Sequence, residues 1–65
     1  MPKDLMILRE SLINVVEFYS HKLYTEKKKL SKRQREQLED VKNRLLCFGK
    51  YGVLWASLAN EILSA

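Results

Sequence analysis

Apolar residues recur at helical spacing along the whole chain, in three stretches separated by one basic run and one pair of glycines. In the first stretch Leu5, Leu8, Leu12, Val15 and Tyr19 follow a 3-4-3-4 spacing that stacks them in one stripe. Met6, Ile13, Val16 and Leu23 lie beside that stripe, while Glu10, Asn14, Glu17 and His21 make one narrow polar line. The pattern predicts a helix over 3–26 with an apolar face too broad for a single neighbour to cover.

The second stretch begins at Ser31, which with Gln34 three residues on matches a capping box and so marks a helix start. Leu38, Val41, Leu45 and Phe48 form a seam one residue wide. Glu36, Glu39, Asp40, Lys42 and Arg44 occupy the other faces, with Asp40 and Arg44 in a favourable i,i+4 pair. This predicts a solvent-facing helix over 31–48. Gly49 suits the left-handed position that ends a helix, and Gly52 closes the turn. A third helix over 52–64 then presents Val53, Leu54, Trp55, Leu58, Ala59, Ile62 and Leu63, with Ser57, Asn60, Glu61 and Ser64 as its polar line. The alternative is one long kinked helix from Ser31 onward, because a glycine inside a helix costs only ~1 kcal/mol. No alternating β-branched run suggests a strand, and Pro2 sits where a first-turn proline is tolerated. The fold class is all-α: a single domain over 1–65, a helical hairpin plus a C-terminal helix.

Length makes the missing staples matter. A chain of 65 residues buries only about 60% of its unfolded surface, and one core of that size is marginal. Cys47 is the sole cysteine and His21 the sole histidine, so no internal disulfide or standard zinc set can form. Oligomerisation remains, and the expected assembly is a dimeric helical bundle. Its candidate interface is Leu5, Leu8, Leu12, Val15 and Tyr19 on helix one with Trp55, Leu58 and Ile62 on helix three. Trp55 is read as a fold anchor rather than a ligand contact.

Charge is concentrated. Six of the twelve Lys and Arg residues fall within 26–35, and elsewhere acids outnumber bases by one. Lys27, Lys28 and Lys29 near the end of helix one suit its dipole, whereas Lys32, Arg33 and Arg35 crowd the start of helix two, where cations are disfavoured. Three readings stand: a solvated turn, a contact with an acidic protein or a second copy, and a contact with nucleic acid phosphate. Only Tyr24, Gln34 and Gln37 lie near, too few aromatic and amide side chains for base readout, so a nucleic acid would be held without regard to sequence.

The remaining chemistry is sparse. Glu17 and His21 form an i,i+4 pair able to ligate a metal, but such a pair is ordinary on a polar helix face, and no metal is expected. Ser11, Ser20, Ser31, Ser57 and Cys47 have no base motif around them, so neither catalysis, a cofactor nor a small-molecule substrate is expected. The lone cysteine, the absence of a signal-peptide pattern and the absence of an apolar run near ~20 residues point to a cytoplasmic protein with no membrane partner, or to a host-cell interior if viral. Residues 48–59, FGKYGVLWASLA, resemble part of a Myb/SANT repeat in their K-Y-G turn and W-x-x-L-A helix. The likeness covers twelve of the 65 residues, under a fifth of the chain. A Myb domain reads DNA with a further helix, and none follows before Ala65, so that function is not carried over. The sequence therefore reads as a non-catalytic regulator, adaptor or inhibitor acting as a homodimer on another macromolecule. Its alternatives are a dimeric nucleic-acid-binding protein using 27–35 and a structural subunit of a larger assembly.

Overall fold

A computed structural model describes residues 2–65 and is all-α, with no strand among the described residues. Helix α1 spans Lys3–Ser20 and continues through one wide π turn, His21–Thr25. Helix α2 spans Lys32–Leu46, a 3₁₀ turn follows at Gly49–Tyr51, and helix α3 spans Val53–Ser64. Helices two and three are thus separate. The glycines break them as the sequence suggests, with Gly49 at φ +59° and the Phe48 N–H donating back to the Leu45 carbonyl at 3.0 Å.

The first helix differs from the expected 3–26. Its α-helical part ends at Ser20, and the π turn lets the Glu26 N–H reach the His21 carbonyl at 3.0 Å. Lys28 N–H reaches the Lys22 carbonyl at 3.0 Å, and Lys27 takes the left-handed conformation between them, at φ 58°. These bonds satisfy carbonyls that a plain helix end would leave open, while Leu23 stays packed against the core. At the start of α2 the capping box is complete: Ser31 Oγ accepts the Gln34 N–H at 3.2 Å, and Gln34 Oε1 accepts the Ser31 N–H at 2.9 Å.

The three helices run up, down and up, with α2 closest to α3 and α1 laid along both. Leu12, Ile13, Val16 and Tyr19 meet Leu38, Val41 and Leu45 of α2 and Ala56, Ala59 and Ile62 of α3. The face that α1 buries therefore centres on Val16, not on the Leu5–Tyr19 line. Alanines on α3 let its backbone come close to α2. The unit measures 36 × 19 × 16 Å. At ~1.5 Å per residue the 23 residues from Lys3 to Thr25 extend over nearly all that length, while α2 and α3 reach only about two-thirds of it or less. The α2–α3 turn meets α1 at Arg9, whose Nε donates to the Tyr51 carbonyl. The residues of α1 before Arg9 consequently extend past most of the core.

Candidate functional site

Antiparallel packing gives the molecule two unlike ends. One end holds the link from α1 to α2; the other holds the start of α1, the end of α2 and the start of α3.

The first end is basic. Of its six candidate residues, two have structural tasks. Lys28 Nζ lies 3.3 Å from the Glu26 carboxylate, which also accepts a hydrogen bond from His21 Nδ1 at 3.1 Å. These hydrogen bonds, Lys28 first and His21 second, lower the Glu26 pKa below the ordinary carboxylate value. Arg35 donates to the Leu63 carbonyl, closing the C-terminal end of α3 onto α2. Lys22, outside the candidate set, donates to Gln34 Oε1 at 2.8 Å and ties the end of helix one to the capping box. Lys27, Lys29, Lys32 and Arg33 are exposed and have no ion-pair or hydrogen-bond partner among the described residues. The structure brings these four together on one loop and the first turn of α2.

The other end is apolar. Leu5, Met6, Ile7 and Leu8 of α1 are all exposed, Ile7 at 57%. Leu46 ends α2 and Tyr51 lies in the turn, each about half exposed. Val53 and Leu54 open α3, facing outward, with Leu54 at 80% exposure. Eight of the ten large exposed hydrophobic residues thus lie at this end; only Phe18 and Tyr24 do not. Leu5 and Leu8 line an open groove with Arg44, Cys47 and Phe48. The charges around this end are mixed, with Lys3, Arg9 and Lys50 against Asp4 and Glu10. Asp40 is paired with Arg44 at 2.8 Å.

The candidate interface residues divide. Leu12, Tyr19 and Ile62 are buried in the chain's own core, and Val15, Trp55 and Leu58 are half-buried against it. They are occupied within one chain. Only Leu5 and Leu8 remain open. Tyr19 also has its hydroxyl on the Gln37 side chain. Met6, Ile7, Leu46, Tyr51, Val53 and Leu54 were not among the sequence-derived interface candidates. A usable signal existed at 5–8, LMIL: four consecutive apolar residues encircle a helix, so some must face away from any core.

Chemical machinery does not assemble. Among the described residues no three His, Cys, Asp or Glu side chains gather where they could hold a metal, and no helix is long and apolar enough to cross a membrane. Cys47 is exposed, its Sγ 3.6 Å from the Asn43 carbonyl. Comparison with protein-family models, curated proteins and solved structures gives no match, the Myb/SANT family included.

Proposed function

We propose that this chain is a non-catalytic binding protein, a small helical regulator, adaptor or inhibitor whose apolar end is a protein-docking face. One observation carries the reading: exposed hydrophobic side chains collect at a single end instead of scattering over the surface. Scattered apolar residues are normal, but a patch beyond a few hundred Å² marks an interaction surface. None of these eight side chains belongs to the buried core or to the residues packed against it. Leu54, at 80% exposure, buries little of its side chain within one chain.

A photoreactive amino acid at position 54, used in cells, tests this. The expected result is one discrete protein adduct that a second substitution, Ile7→Lys, removes. No adduct from position 54, with adducts from position 33 instead, would overturn it.

The basic end favours a second reading, contact with a nucleic acid backbone. Its support is the set of four unpaired cations together with Lys27 held at positive φ, a conformation that costs a non-glycine residue ~1–2 kcal/mol. Changing Lys27, Lys29, Lys32 and Arg33 together to Gln should abolish any such binding and leave the fold intact. Arg35 is excluded from that set because it ties α2 to α3. The wild type should lose affinity with a log–log salt slope of about −0.9 per phosphate contact. No retention of DNA or RNA at low salt removes this reading.

A further inference from the structure

We infer that the occupant of the apolar end is a second copy of this chain, docked end to end about a two-fold axis. The inference rests on the reading of that end as a protein-binding face, and three observations carry it further.

The first is area. Eight large hydrophobic residues, each roughly half exposed, leave on the order of 800 Å² open around this end, divided between the Phe48 groove, the Met6 and Ile7 side of α1 and the Leu46 side of α2. A standard stable interface takes about 800 Å² from each partner. That area suffices for one closed pairing in which the partner wraps the first turns of α1.

Charge is the second. The basic end carries Lys22, Lys27, Lys28, Lys29, Lys32, Arg33 and Arg35 against Glu26 and Glu36, so two such ends repel. The apolar end is fringed by charges of both signs, Lys3, Arg9 and Lys50 against Asp4 and Glu10, and two such ends repel far less. Joining the apolar ends sets the basic ends farthest apart, many times the Debye length of ~8 Å at physiological salt. Any side-by-side pairing would bring them closer.

The third is shape. The first two turns of α1 extend past most of the core, with Met6 and Ile7 outward and Leu5 and Leu8 beside the Phe48 groove. In a two-fold pairing each protruding turn lies against the partner's end, so the same surface is used twice and the assembly closes at two copies. The product is a rod with one basic loop at each tip, able to touch two separate acidic partners.

The test joins light scattering after size exclusion to small-angle X-ray scattering on the purified chain. At about 100 µM the mass should be twice 7.7 kDa, and the maximum dimension about 70 Å, near twice the 36 Å of one unit. Ile7→Lys and Leu54→Lys should each weaken the pairing at least tenfold with an unchanged helical circular dichroism spectrum, since neither side chain is in the core. A monomer at that concentration, a dimer of about 40 Å, a dimer surviving both substitutions, or a mass that keeps rising with concentration overturns the inference. A monomer that still forms the position-54 adduct with a different protein defeats the second copy alone. Loss of that adduct as well defeats the binding face itself.

Discussion

Gly52→Ala probes the close approach of the α2–α3 turn to α2. A β-carbon there would stand 2.1 Å from the Leu45 carbonyl oxygen, 3.0 Å from its carbonyl carbon and 3.2 Å from Phe48 Cβ. Carbon contacts settle near 3.5–4.0 Å, so relief needs a backbone shift of roughly 1 Å. The obstacle is backbone of α2 rather than a side-chain tip, and Leu45 is fully buried among the core residues. Overpacking typically costs ~1–3 kcal/mol. With rigid backbone on both sides, about 3 kcal/mol is the expected loss, against the ~3–5 kcal/mol that so small a core supplies. Gly49→Ala is the internal comparison. Nothing lies within 4 Å of a β-carbon at 49, and only its left-handed φ of +59° is at issue, worth ~1–2 kcal/mol. Thermal melts followed by circular dichroism, at one fixed protein concentration, compare the two. At ~4–8 °C per kcal/mol the melting temperature should fall by about 12–24 °C for Gly52→Ala and roughly half that for Gly49→Ala. Equal melts, or a Gly52→Ala protein as stable as wild type, would show that α3 does not press on α2 as described.

Lys27→Gly should raise the melting temperature by about 4–8 °C, since glycine adopts the φ of 58° without the ~1 kcal/mol penalty; a fall would show that the lysine side chain supports the loop. Ser31→Ala removes the cap of α2 and should cost ~1 kcal/mol by urea denaturation, with little further loss on adding Gln34→Ala because the two act as one motif. Glu26 should titrate by carboxyl NMR below the ordinary range and return toward it in Lys28→Gln. Because its folded pKa is the lower one, any stability it adds is present above the unfolded pKa and fades as pH falls through the folded value.

Local signals were the legible part of this sequence. The capping box at Ser31 and Gln34 and the left-handed Gly49 are decided within a few residues, so the chain announces them. The seam of α2 was readable for the same reason: a helix with one apolar line can bury only that line, and Leu38, Val41 and Leu45 do so. Helix one was harder, because an almost wholly apolar circumference does not say which side meets the neighbours. The answer depends on where the α2–α3 turn stops, at the level of Arg9, and that is a tertiary fact. Hence Val16 and Ile13, read as flanks, sit in the core, while Leu5 and Leu8, read as part of the central stripe, lie open. Trp55 shows the same limit. It packs on the core but only half-buried, since Ala56 and Ala59 take the closest approach. Trp55→Ala should therefore cost less than the ~3–5 kcal/mol of a fully buried tryptophan. Of the basic run, sequence alone could not tell that Lys28 and Arg35 are engaged within the fold while four neighbours have no partner among the described residues.

Self-association at the apolar end is read most directly by amide NMR spectra recorded from about 10 µM to about 1 mM, a range that resolves a dimer of micromolar or weaker affinity, together with the rotational correlation time, which reports a tighter one. Amides of residues 5–8, 46, 51, 53 and 54 should shift together along one binding curve, while those of 27–35 stay fixed. Shifts confined to 27–35, or a monomer's correlation time across the whole range, would contradict the account.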